Sequence, residues 1–134
     1  MPPSPSANEP ESTTLPPTIL IVDDEPAIAN TLSLILEHHG YRSIVARSGE
    51  EAVELARSTP PHVLVCDVIM HEMNGIEAAR QIRSLCPECR IILMSGNVNT
   101  TQLLEDARSA GDEFQILVKP FHPTELINKL RGGW

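Results

Sequence analysis

The chain has 134 residues, an apolar share of 41% and a formal net charge of −8 with histidine neutral. That length suits one domain with a real core, and the acidic balance, without any Lys/Arg cluster, argues against direct nucleic-acid binding, which draws on basic patches. No apolar run approaches the ~20 residues that cross a bilayer, and no basic segment followed by an apolar one opens the chain, so no membrane association or secretory signal is expected and the cytoplasm is the expected compartment.

Residues 1–17, "MPPSPSANEPESTTLPP", are rich in Pro, Ser, Thr and Glu. Such a segment cannot bury enough apolar surface to offset the entropy lost on ordering, which predicts a disordered arm. From Thr18 the texture changes. Short apolar runs at 18–22, 42–46, 62–66, 90–94 and 114–118 predict strands. The segment 25–39 between the first two places Ile28, Leu32, Ile35 and Leu36 on one helical stripe, with Pro26 suited to the first turn and Gly40 to the stop. The next helix, 48–58, opens on Ser48 and Glu51, a capping-box pair. Residues 74–85, 100–110 and 123–131 read as three more helices, the last with a proline at its start. Strands alternating with helices predict an α/β layered fold with a parallel sheet. The first, third and fourth strand runs are almost continuously apolar, as expected when helices cover both faces. The domain organisation is then an arm at 1–17, one domain at 18–131 and a tail at 132–134.

Four of the strands run straight into a polar group. "TILIVDDE" ends in Asp23 and Asp24, "HVLVCD" in Asp67, "RIILMS" in Ser95 and "QILVKP" in Lys119. An unpaired carboxylate is costly to bury, yet in open α/β sheets the carboxyl ends of the strands are where ligands sit. Three carboxylates at one edge repel one another and call for a hard cation such as Mg²⁺. With a lysine and a hydroxyl beside them they make a cradle for a phosphoryl group, and an aspartate can itself be the nucleophile.

In their order and placement, "VDDE" (22–25), "CDVIMHEMNG" (66–75), "MSG" (94–96) and "KPF" (119–121) resemble the receiver domain of bacterial two-component response regulators over residues 18 to about 131. The resemblance implies a flavodoxin-like (βα)5 three-layer sandwich with sheet order 2-1-3-4-5. It implies that Asp67 accepts a phosphoryl group from a phosphohistidine of a sensor histidine kinase or phosphotransfer protein. Asp23 or Asp24, Asp67 and the backbone carbonyl of Ile69 would hold Mg²⁺, and Ser95 and Lys119 would bind the phosphoryl oxygens. It also implies a cis bond before Pro120, an unidentified output partner, and a homodimer through the fourth helix, fifth strand and fifth helix as one arrangement. No separate enzymatic turnover is expected.

The chain departs from the family pattern in places. His71 stands where a proline is usual, four residues past Asp67. Ile116 stands where a Tyr or Phe usually precedes the lysine, and Phe114, two residues earlier, shares its face of the strand. Ile69 and Asn97, two residues past Asp67 and Ser95, stand at positions that in receivers of this family often govern water access to the phosphoryl group, and apolar Ile69, unable to orient a water, is expected to slow hydrolysis. "CPEC" (86–89) has the spacing of half a zinc site or a redox motif, but it sits alone in a predicted connection, and a plain loop with reduced thiols is the simpler reading of this three-cysteine chain. His38 and His39 fall at a helix end, where a cation suits the dipole. Against a Mg²⁺-dependent aspartyl-phosphate phosphatase, no second Asp stands two residues past Asp67. Against a nucleotide or flavin binder, "DDEPAI" supplies no Gly-rich phosphate loop. A receiver fold signalling by protein contact alone is the other alternative.

Overall fold

In the computed structural model, which describes residues 16–70, 73–96, 100–111 and 114–132, the alternating pattern becomes β1 (Thr18–Val22), α1 (Pro26–His38), β2 (Arg42–Ala46), α2 (Gly49–Ser58), β3 (Val63–Asp67), α3 (Gly75–Leu85), β4 (Arg90–Ser95), α4 (Thr100–Ser109), β5 (Gln115–Val118) and α5 (Pro123–Gly132). Every strand pair is parallel, and the sheet order is β2-β1-β3-β4-β5, as expected. Two strands run one residue further than their apolar stretches. Asp67 still pairs opposite Met94, and Ser95 opposite Val118, so the ladder carries both polar residues at its very end. The fifth strand starts at Gln115, which leaves Phe114 just outside it. The expected arm falls largely on residues 1–15, and His71, Asn97 and the last two residues of the tail likewise lie outside the described residues.

Local chemistry sets the helix ends. Pro26 occupies the first turn of α1, and Gly40 turns the chain out with a φ of 92° that glycine adopts without a Cβ clash. Ser48 Oγ accepts the Glu51 N–H at 3.1 Å, while Glu51 Oε1 accepts from the Arg47 N–H at 2.8 Å. The capping box therefore closes one residue earlier than its usual form. Asn74 Oδ1 caps α3 by accepting the Glu77 N–H at 2.9 Å.

Side-chain alternation along the strands divides the core into two layers. Ile19, Ile21, Val65, Ile92, Met94 and Leu117 pack with Leu32 and Leu36 of α1 and Leu126 and Leu130 of α5. On the other face, Leu20, Val22, Leu64, Cys66, Ile91 and Leu93 pack with α2, α3 and Ala107 of α4. With full burial worth about 1.5–3 kcal/mol for each large aliphatic side chain, these layers hold the strand ends rigid enough to place a site. At the opposite end of the sheet, the Arg90 guanidinium donates to Leu130 O at 3.1 Å, to Lys129 O and to Gln115 Oε1. It thereby satisfies carbonyls at the C-terminal end of α5 and ties that helix to β4 and β5. Among the described residues, no helix is long and apolar enough to cross a membrane.

Candidate functional site

Because all five strands are parallel, their carboxyl ends share one edge of the sheet. The chain reverses its direction of travel across the sheet between β1 and β3, which is where such folds open a crevice. Asp23 and Asp24 follow β1, Asp67 ends β3, Ser95 ends β4 and Lys119 follows β5. Backbone bonds extend the ladder past the strands and fix these positions: Asp23 N–H donates to Ala46 O (3.3 Å), Val68 N–H to Met94 O (3.1 Å) and Lys119 N–H to Ser95 O (2.8 Å).

The three carboxylates meet. One oxygen each from Asp23, Asp24 and Asp67 lie within 4.8 Å of one another. The adjacent Asp23 and Asp24 differ sharply in setting: Asp23 is fully buried and Asp24 half-buried. Asp23 Oδ1 accepts the Glu25 N–H at 2.9 Å. Asp23 Oδ2 has no hydrogen-bond donor among the described residues, and Lys119 Nζ stands 3.6 Å from it. The same Nζ donates to Asp67 Oδ2 at 3.0 Å.

Among the described residues charge is unbalanced here, with three carboxylates facing the Lys119 ammonium. Burial pushes the Asp67 carboxyl above its ordinary range, and Asp23 and Asp24 add to this, while Lys119 only partly offsets it. Burial opposes the charge on Lys119, but Asp67 and Asp23 outweigh it and hold the ammonium above its usual pKa. Lys119 alone does not balance the three carboxylates. A divalent ion with oxygen ligands fits both the donor set and the bare, buried Asp23 oxygen.

Two glycines clear the space. A Cβ on Gly75 would lie 2.1 Å from the Asp67 carbonyl oxygen, and the Gly75 N–H donates to Val68 O at 2.8 Å. A Cβ on Gly96 would lie 2.8 Å from Lys119 Cβ. Both sit inside the quoted motifs, but the sequence reading assigned them no role. For Gly96 the available signal was its place beside Ser95, where close backbone approach is the usual reason for glycine. The Lys119–Pro120 bond is cis, as the resemblance implies. Ser95 is buried at the end of β4. A cavity of about 1050 Å³ opens from Asp24, Asp67 and Lys119 toward Ile28, Leu32 and Phe121, and Ile69, 46% exposed, stands on its wall.

Phe114 and Ile116 pack against the same core layer, as their shared face predicts. Ser95 is level with Val118, so Phe114 lies four residues back along the chain, about 13 Å at ~3.3 Å per residue. There the Arg83 guanidinium lies 5.7 Å from its ring centroid. Cys66, Cys86 and Cys89 are free thiols.

The family model for the response regulator receiver domain matches residues 19–131. The probable transcriptional regulatory protein TcrX of Mycobacterium tuberculosis is 31% identical over 117 residues, covering 87% of this chain and 49% of TcrX. The response regulator MprA of Mycobacterium ulcerans is 33% identical over 114 residues, covering 85% of this chain and 48% of that protein. The chain thus spans about half the length of these curated relatives. Among solved structures, the chemotaxis protein CheY4 of Vibrio cholerae aligns with a TM-score of 0.78 at 28% identity, covering 87% of this chain and 97% of CheY4. A CheY-like receiver domain protein from Methanospirillum hungatei aligns with a TM-score of 0.79 at 26% identity, covering 87% of this chain and 91% of that one.

Proposed function

The chain belongs to the response regulator receiver family of two-component systems, and on that footing we propose that it is a phosphorylation-operated switch with Asp67 as phosphoacceptor. The observation that carries the reading is the excess of negative charge at the sheet edge: three carboxylates within 4.8 Å, one lysine, and a buried Asp23 oxygen without a hydrogen-bond donor among the described residues. Asp23, Asp24, Asp67 and the backbone carbonyl of Ile69 would hold Mg²⁺, which supplies charge neutralisation at the transferring phosphoryl group.

The donor is a phosphohistidine on a sensor histidine kinase or phosphotransfer protein. An Asp67 carboxylate oxygen attacks phosphorus, the phosphorus–nitrogen bond breaks, and the imidazole leaves with the bonding pair. Lys119, which now donates to Asp67 Oδ2, transfers its hydrogen bond to a phosphoryl oxygen as the carboxylate loses its charge. The Ser95 hydroxyl binds another. Positioning and electrostatics carry the step, and phosphoryl acceptance calls for no general base. The product adds charge at the end of β3 and biases the surface that an output partner reads. The domain is taken as residues 18–131, acting as a switch rather than a turnover enzyme.

Intact mass after incubation with Mg²⁺ and a small phosphodonor tests the reading. One phosphoryl adduct in wild type and none in Asp67→Asn is the expected result. No adduct in the folded wild type, with a stable phosphoryl mimic also failing to bind, would instead leave a receiver fold that signals by protein contact alone.

A further inference from the structure

We propose that Cys86 and Cys89 are a reversible disulfide site, closed by exchange with a small-molecule disulfide of the oxidised-glutathione class. Cys86 is the C-cap of α3, and its N–H donates to Ile82 O at 2.7 Å. The Cys89 N–H donates back to Cys86 O at 2.9 Å, closing a four-residue turn with Pro87 in its second position. A turn of that type brings its first and last Cα atoms within about 7 Å, which overlaps the ~4.4–6.8 Å span of a disulfide. Both side chains pack against the same core layer, the one that faces α2 and α3. The Cys86 sulfur lies 4.0 Å from Ala56 O, and the Cys89 sulfur 3.6 Å from Arg90 O.

The two thiols differ in access. Cys86 is half-buried, whereas Cys89 is 3% exposed. Cys86 is therefore the entry point. Its thiolate attacks one sulfur of the small disulfide, forming a mixed disulfide and expelling one thiolate. The Cys89 thiolate then attacks the Cys86 sulfur and expels the second. The small disulfide is reduced to two thiols, and the protein gives up two electrons and two protons. Burial raises both thiols, Cys89 to about 12, while the nearby Arg83 charge partly offsets the rise at Cys89. Exchange is slow at neutral pH for that reason and accelerates with alkalinity. The turn sits at the base of β4, far from Asp67. It adjoins a brace in which Arg83 donates to Cys89 O at 3.4 Å and covers the Phe114 ring.

The full chain is incubated with oxidised glutathione under native conditions, and intact mass and peptide mapping are read over time. Wild type is expected to lose two hydrogens, mapped to a Cys86–Cys89 link, at a rate rising roughly tenfold per pH unit below the thiol pKa. Cys89→Ser is expected to stop at one glutathione on Cys86, and Cys86→Ser to stay unmodified. A glutathione adduct that persists on wild-type Cys86 would overturn the proposal. So would an unchanged native mass while the urea-unfolded chain oxidises in parallel.

Discussion

Replacing Asp67 by Asn should stabilise the metal-free protein. Carboxylate oxygens within 4.8 Å of one another repel by at least about 3.5 kcal/mol per pair at an effective dielectric constant of ~20, and Lys119 at 3.0 Å returns about 5.5 kcal/mol on the same scale. Neutralising Asp67 removes its repulsions with Asp23 and Asp24 along with that one attraction, a net gain of at least about 1–2 kcal/mol before any relief of desolvation. The pKa direction agrees. Asp67 is raised in the folded state, first by burial, so the stability its protonated form contributes is full below the unfolded pKa and lost as pH rises through the folded one. Above that pKa the wild type has lost it, whereas Asn never titrates. In EDTA near pH 7, Asp67→Asn should melt several degrees higher, at about 4 °C per kcal/mol for a domain of this size. The gap should close as pH falls through the raised Asp67 pKa. Mg²⁺ at a hundredfold excess over its Kd should add about 2.7 kcal/mol to wild type and less to the variant, reversing the order. A variant no more stable than wild type in EDTA would refute the charge argument.

Lys119→Met leaves the carboxylates without their ammonium and should cost about 3–5 kcal/mol in urea titrations without divalent ions; because Lys119 is raised, that contribution is lost as pH rises through its folded pKa, so the gap to wild type should narrow only in strong alkali. Gly75→Ala drives a Cβ into the Asp67 carbonyl and should cost about 1–3 kcal/mol by denaturation while slowing phosphoryl uptake. Ile69→Asn, on the exposed cavity wall, should shorten the phosphoryl lifetime severalfold by orienting a water; an unchanged decay of the phosphorylated mass would end that idea. Phe114→Ala should lower stability through lost packing under Arg83 yet leave partner binding by the phosphorylated form intact, as a pull-down with and without phosphodonor would read.

The fold was legible because each element announces itself twice, by period and by punctuation: Pro26 and Gly40 bracket α1, and Ser48 with Glu51 opens α2. The site was legible because a charged or hydroxyl group at the end of an apolar run has no packing reason to be there. What stayed hidden depends on the third dimension. Nothing in "DD" distinguishes the fully buried Asp23 from the half-buried Asp24; the depth of the crevice does. Arg90 carries no periodic signal, and its role in tying down α5 appears only when residues some forty positions apart meet. Apolar runs also understated β3 and β4, because backbone pairing continues through Asp67 and Ser95 regardless of side-chain polarity.

Lys119 contacts both Asp67 on β3 and the end of β4. Its ammonium holds Asp67 on β3, while its own N–H holds Ser95 O on β4 at 2.8 Å. Three strand ends are thus joined by one residue with a short, well-packed backbone connection. Gly96 sits so close to Lys119 that a Cβ there would lie 2.8 Å from Lys119 Cβ. Phe114 lies away from these contacts, at the far end of β5 beneath Arg83. Ile116, opposite Leu93, is β-branched and restricted at χ1, so it offers no rotamer swing comparable to that of an aromatic ring. The contacts of Asp67 therefore lead through Lys119 to the carbonyl of Ser95, and Phe114 takes no part in them.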